Sequence, residues 1–458
     1  MAFVELAEKS ISVACAENFF RAVMMQTLSH WKRLFDKACT LECSDLRLVG
    51  RDFEGTFFSG PGRIEIDGSS SIRFSMYGSA ADGGAAWCKM ISARENPYEA
   101  LEQFRLFATD YEGNEWAGGY TAIDFFTDHK YGWPLAGELQ GLSTKVSGPW
   151  VAQNSSVELL FLPPFHLPMN EWMMTTTTLG EEELGGSRGP GRQVIDVLGT
   201  RVVFANDLSG DGLWLTADTS DQLRHPEAES WLSEPLRILM GAIIYPRLTA
   251  RNFGDGSAFV TLLPAPRQVT PSPFGLMQPV GLDRTHDERF WQLYADILSM
   301  IAAGDGMGMQ GHEVTRLYEE LCQAQRGSRW SILLTLASTV EALAKSLMSE
   351  GDRRSEFSDD TLKAMEKHLR AWGGDAALRG RMLSNLGFVK QRSPLAFLRT
   401  LGKGGTVNPA HVDTWQKLRN SVMHGEMAGP WSTAEGDQHM QELIALVHDL
   451  TKARIARG

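Results

Sequence analysis

The sequence predicts an α+β protein: a β-rich N-terminal region, sandwich- or barrel-like, followed by an all-α helical bundle. Three observations carry this reading. Between residues 46 and 263 apolar and polar residues alternate, and glycine-containing turns interrupt them at intervals of about ten residues. Residues 264–281 then hold five of the nineteen prolines, the composition of a linker or extended strap. From residue 286 onward the apolar residues recur at helical spacing instead.

Taken in order, residues 1–45 form an N-terminal helical segment. Phe19, Phe20, Val23, Met24, Leu28, Trp31, Leu34 and Phe35 fall mostly on one face, as in a packing helix. The β-rich region, 46–263, opens with alternating runs over 46–58 and 71–77, separated by Gly-Pro-Gly and Asp-Gly turns. Further strands are expected at Gln103–Thr109, Gly119–Thr127, Glu138–Ser147 and Val157–Leu162. A second set follows at Gln193–Asn206, Gly212–Ala217 and Ala258–Leu263, which suggests two lobes. One helix, about Glu227 to Tyr245, interrupts them, and Gly185–Arg192 reads as a mobile loop between the lobes. After the linker, 264–285, comes the helical domain, 286–458. Its helices are expected at 286–302, Glu313–Arg326, Ser328–Ser349, Ser358–Trp372, Arg379–Leu386, Pro394–Leu401, Asp413–Pro430 and Thr433–Ile455.

The formal charge of −12 is unevenly placed. From Thr285 onward there are 21 Lys+Arg and 21 Asp+Glu, so the whole excess of acid precedes the bundle. An acidic region repels nucleic acid and suits a sensor or scaffold, whereas a neutral bundle still offers room for a local basic groove. The most apolar run, Leu232–Tyr245, is too short and too interrupted to span a bilayer, and the first residues lack a secretory pattern. No membrane association and a cytoplasmic location are expected. Five cysteines fit a reducing compartment, and Cys39-x3-Cys43 lacks the second ligand pair of a zinc site, so no metal and no cofactor are expected.

The stretch Asp413–Pro430 carries the chemistry. Trp415, Leu418, Val422 and Met423 recur at helical spacing, and Gly425 is a plausible stop. Within that pattern stand Arg419, Asn420 and His424. A guanidinium grips phosphate bidentately, an amide supplies hydrogen bonds, and an imidazole exchanges protons near neutral pH. Asn420 and His424, four apart, share a helix face, whereas Arg419 lies about 140° around from His424 at ~100° per residue. One helix therefore presents the pair poorly to a single phosphate, and two copies across a two-fold axis present it better. The competing reading is structural: Arg419 and His424 cap a helix end and pair with Asp413 or Glu426. Lys403, Arg399 and Lys417 are weaker candidates for contacts to a phosphate backbone.

Other signals carry less. The G-x-G-x-x-G spacing in Gly304–Gly311 lacks the preceding strand of a dinucleotide site and reads as an interhelix loop. His439 and His448 lie on roughly opposite faces of the last helix and read as surface or packing residues.

The helical domain resembles the HEPN superfamily, small helical domains of prokaryotic RNA-cleaving toxins and defence proteins. Arg419, Asn420 and His424 match its R-x4-6-H motif on the penultimate long helix, and Glu341 occupies the apolar helix where such proteins place a carboxylate facing the motif. The arrangement of a β-rich region before a HEPN domain is similar to the ApeA-like abortive-infection proteins of bacteria. The resemblance implies a metal-independent endoribonuclease acting on tRNA or another cellular RNA as a toxic antiphage effector. Arg419, His424, Asn420 and Glu341 are then catalytic, and Glu341 orients Arg419 through a buried charge pair. It further implies a homodimer or higher even oligomer through the HEPN domain, and a phage-derived trigger sensed by the β-rich region. The alternative is a non-catalytic HEPN-fold protein that binds nucleotides or a partner, or only dimerises.

Overall fold

The computed structural model describes residues 27–32, 38–51, 55–67, 71–96, 99–125, 133–179, 182–207, 212–264, 272–277, 284–304, 311–355, 357–423 and 431–457. The chain divides into two compact units. The first comprises Met1–Ser233, Ile243–Thr270 and Gly281–Trp291, and the second Glu234–Ala242, Pro271–Val280 and Gln292–Gly458. The boundary is therefore not one cut at the proline-rich stretch. Part of that stretch belongs to the helical unit, together with a short helix that precedes it in the chain.

The first unit is built on one antiparallel sheet. Among the described residues its fifteen strands are β1 (Cys39–Val49), β2 (Thr56–Ile66), β3 (Ile72–Gly78), β4 (Phe104–Asp110), β5 (Glu115–Thr121), β6 (Asp124–Phe125), β7 (Trp133–Glu138), β8 (Leu142–Ser147), β9 (Ser155–Phe161), β10 (Glu171–Leu179), β11 (Glu182–Val197), β12 (Thr200–Asn206), β13 (Leu213–Asp218), β14 (Leu248–Phe253) and β15 (Ser257–Leu262). They pair in the order β10-β11-β12-β13-β9-β14-β15-β8-β5-β4-β1-β2-β3-β7-β6. The expected two lobes are thus one continuous ladder. Alternation explains it locally: along β4, Phe104, Leu106 and Ala108 are buried while Arg105, Phe107 and Thr109 are partly exposed. One apolar cluster runs from Trp214 in β13 to Leu135 in β7, and Val203 and Ala205 of β12 form a second, smaller one.

Several expectations are corrected here. The strand β1 begins at Cys39, inside the stretch expected to be helical. Only Leu28–Lys32 (α1) is a described helix before it. Backbone amides of Thr27 and Leu28 donate to the carboxylate of Glu158 at 3.3 and 3.0 Å, which satisfies donors that a helix start leaves open. Gly185–Arg192, expected as a loop, lies within β11. Gln193–Asn206 is a hairpin and not one strand, because Leu198 (φ 52°) and Gly199 (φ 71°) both adopt the left-handed conformation of a two-residue turn. Gly83–Glu95 forms a helix (α2) that apolar spacing did not reveal, since Gly83 and Gly84 occupy its first turn. Asp82 caps it by accepting from the amides of Gly84 and Ala85.

The expected single helix over Glu227–Tyr245 is two short ones, Ala228–Trp231 (α3) and Glu234–Met240 (α4). Pro235, without an amide hydrogen, cannot continue the bonding of the first into the second. Every residue of α4 is buried. It ends at Gly241 (φ 57°), where a Cβ would meet the Gly275 nitrogen at 2.3 Å. Residues 272–277 run alongside, with Leu276 and Met277 amides donating to Ile238 and Leu239 carbonyls at 3.0 Å.

The rest of the second unit is helical: α5 (Arg284–Ala303), which enters it from Gln292 onward, α6 (Glu313–Ala324), α7 (Arg329–Leu347), α8 (Asp359–Ala371), α9 (Ala376–Val389), α10 (Pro394–Lys403), α11 (Pro409–Met423) and α12 (Ala434–Ile455). Side-chain caps at Ser328, Ser358, Asp375, Ser393 and Thr433 fix five of these starts. Helix α7 is central. Leu333, Leu336, Val340, Leu343 and Leu347 are buried along it, and it packs on α6, α10, α11 and α12. The buried Glu234 carboxylate accepts from the His312 amide (2.9 Å) and the Thr315 hydroxyl (2.7 Å), and Arg237 pairs with Glu319 at 2.7 Å. These ties fasten α4 to α6.

Candidate functional site

Helix α11 begins earlier than apolar spacing suggests. Pro409 stands first, where its missing amide costs nothing, and the Asn408 side chain accepts from the Ala410 amide at 3.0 Å. The helix is described to Met423, so the expected continuation to Pro430 lies outside the described residues.

Two pairs of contacts orient it. Trp415, 2% exposed, donates its indole N–H to the Ala337 carbonyl of α7 at 3.0 Å. Four residues on, Arg419 Nε donates to Glu341 Oε2 at 2.9 Å. Both contacts advance one turn on both helices, so α11 and α7 run in the same direction here. Against α12 the order reverses: Thr414 donates to Glu442 at 2.6 Å, and Lys417 lies 3.6 Å from Glu435. Helix α11 is thus held between a parallel and an antiparallel neighbour.

The Arg419–Glu341 pair is half-buried, with side chains 37% and 24% exposed, and not the buried pair expected. Lys345, one turn along α7, takes the other carboxylate oxygen at 2.8 Å. Burial opposes the charge on Glu341, but hydrogen bonds from Lys345 and Arg419 outweigh it and hold the carboxyl below its ordinary value. The Arg419 guanidinium also sits 5.8 Å from the Trp415 ring centroid, a cation–π distance. Among the described residues its contacts are the Nε bond to Glu341 and the ring of Trp415.

Comparison with family models, with curated proteins and with solved structures returns no match.

The remaining candidates are placed as follows. Asn420 is exposed on the last turns of α11. His424 and Glu426 lie outside the described residues. Asp413, proposed as a structural partner of Arg419, is exposed, and the partner found is Glu341. Arg399 is exposed on α10 and donates to Gln416 at 3.0 Å, one turn before Arg419. Lys403 is exposed at the end of α10, and Lys417 faces α12. The site residues that apolar spacing missed are Lys345 and Gln416. A Glu-to-Lys spacing of four was the available signal for Lys345.

Among the described residues no group of three or more His, Cys, Asp or Glu is placed to hold a metal, and no helix is long and apolar enough to cross a membrane. Cys39, Cys43, Cys88 and Cys322 are free thiols. His448 is a packing residue: it hydrogen-bonds the Phe274 carbonyl at 2.9 Å, and burial lowers its pKa. Most of the Gly304–Gly311 spacing lies outside the described residues, between two helices.

Proposed function

We propose that the chain is a metal-independent endoribonuclease of the HEPN type, a cytoplasmic toxic effector of abortive infection whose β-rich unit senses a phage-derived trigger. One observation carries it: Glu341 holds Arg419 through Nε at 2.9 Å, so a guanidinium fixed to α7 stands near the described end of α11, close in sequence to His424. In the reaction the 2′ oxygen bonds to phosphorus, the bond to the 5′ oxygen breaks, and the 2′ proton is removed as the leaving oxygen gains one. Arg419 stabilises charge on the non-bridging oxygens, His424 exchanges a proton, and Asn420 hydrogen-bonds phosphate or imidazole. The five-residue spacing of Arg419 and His424 would turn a continuous helix through about 140°, which favours an active groove built by two copies.

The test is cleavage of tRNA and total RNA by purified chain in the presence of a chelator. Wild type cleaves, and Arg419→Ala and His424→Ala lose at least a hundredfold, a typical cost of losing one acid–base or charge-stabilising group. Equal, slow degradation by all three defeats the proposal.

A second reading has support in the same pair: a guanidinium salt-bridged to Glu341 and stacked on Trp415 also serves as a staple between α7 and α11. On that reading the bundle binds a nucleotide or a partner, or only dimerises. Growth arrest on overexpression that survives His424→Ala favours it.

A further inference from the structure

The ion pair at Glu341 does not balance. One carboxylate serves two cations, Arg419 at 2.9 Å and Lys345 at 2.8 Å, so the trio carries a net positive charge. Lys345 is 59% exposed, and its ammonium carries three donors, one of which meets Glu341. On the other side of Arg419, Gln416 stands three residues earlier on α11, close enough for their side chains to be neighbours. Its oxygen accepts from Nη2 of Arg399, an exposed residue of α10, at 3.0 Å. Cations from α7, α11 and α10 therefore follow one another across three helices, Lys345, Arg419 and Arg399. Glu341 is the carboxylate among them, and the exposed Asp413 lies one turn before Gln416.

We propose that Lys345 and the Arg399–Gln416 pair extend the Arg419 site into a track for the phosphodiester backbone of a single RNA strand. The inference rests on the ribonuclease reading of Arg419. The track recognises phosphate and not sequence. Trp415, the aromatic residue beneath Arg419, is buried and offers no face to a base. Lys345 and Arg399 grip phosphates flanking the one held by Arg419, and Gln416 keeps the Arg399 fork directed along the strand.

The experiment is fluorescence-anisotropy titration of a labelled single-stranded oligoribonucleotide with the full chain carrying His424→Ala, across a range of salt concentrations. A cation that neutralises one phosphate contributes about 0.7 to the slope of log K against log salt. Lys345→Gln and Arg399→Gln each lower the slope by about that amount. Each also weakens binding about tenfold at low salt, whereas Lys345→Arg keeps both. Unchanged slopes in both variants overturn the track, as does a Lys345→Arg variant as weak as Lys345→Gln. Because both side chains are exposed, the variants stay folded, and a thermal melt of each confirms it. A separate cleavage assay of wild type divides the two ideas. Cleavage with unaltered slopes removes the track and keeps the nuclease. Salt-dependent binding that the variants weaken, without cleavage, keeps the track and removes the nuclease.

Discussion

Trp415 donates its indole N–H to the Ala337 carbonyl at 3.0 Å, and this bond sets where Arg419 meets Glu341 one turn later. A tryptophan whose nitrogen has a fixed acceptor cannot slide or rotate in its slot, so the helix that carries it is locked in register against α7. The positions of the guanidinium and the carboxylate follow from that register. The packing residue is therefore as much part of the site as the charged ones.

Truncating the anchor tests this. Trp415→Ala removes a fully packed ring, and by comparison with other core aromatics it costs about 3–5 kcal/mol in the unfolding transition of the helical unit. Trp415→Phe keeps most of the volume and loses the hydrogen bond, for about 1 kcal/mol. The phenylalanine variant is the informative one. It remains folded by circular dichroism, yet RNA cleavage falls by more than the stability change accounts for, because Arg419 loses its support.

Two glutamates have opposite pH signs. Hydrogen bonds to two cations hold Glu341 below its ordinary value of 4.5, despite its burial. Its contribution to stability is present above that value and disappears as pH falls through the lowered folded-state pKa. Glu158, buried in the first unit, is raised instead. Burial dominates over the hydrogen bonds it accepts from Leu28, Asn252 and Thr27. The folded state then binds the extra proton, so Glu158 stabilises at low pH and this is lost as pH rises from 4.5 through the raised pKa. Denaturant melts of Glu341→Gln and Glu158→Gln between pH 3 and 8, about the range these groups span, check the signs: the penalty of the first grows with pH and that of the second shrinks.

How legible was this in the sequence? Helices of the second unit were readable because Ser328, Ser358, Ser393 and Thr433 announce their starts and apolar residues repeat behind them. Strands whose alternation is clean, such as β4, were readable for the same local reason. The strands β7, β10 and β14 and the helix α2 were missed. Trp133–Glu138 is short and mixed, Thr175–Thr178 has no alternation, and Leu248–Ala250 is buried on both faces. The single ladder was invisible because β9 takes its partners from strands far away in the chain, β13 and β14. At the site, the motif spacing named Arg419 and the family resemblance implied Glu341, whereas Gln416 and Arg399 meet only through tertiary packing.

Histidine sets the other end of the pH range. Burial lowers the pKa of His225, His312 and His448 from the ordinary 6.5. The unfolded chain therefore takes up protons that the folded chain refuses. Stability is full above pH 6.5 and falls as the pH drops below it toward the lowered folded values. His448→Gln can still meet the Phe274 carbonyl and does not titrate. Its unfolding midpoint is flatter with pH than that of wild type between about pH 5 and 7, and an equal slope in both proteins rejects the assignment.

Concentration dependence tests the pairing of two copies. Arg419 and His424 are five residues apart, a spacing that a continuous helix would turn through about 140° at ~100° per residue, and this favours a second copy at each phosphate. If the groove forms between copies, each phosphate meets Arg419 and His424 from different chains. The initial rate of RNA cleavage then rises with the square of protein concentration while the chain is mostly monomeric, and linearly once dimers fill. Sedimentation velocity at the same concentrations locates the change in order at the monomer–dimer midpoint. A mixture of Arg419→Ala and His424→Ala chains regains activity that neither has alone, since a mixed dimer contains one groove with an intact residue of each kind from the appropriate partner. A rate strictly first order across the dissociation range, with no recovery on mixing, assigns the reaction to a single copy.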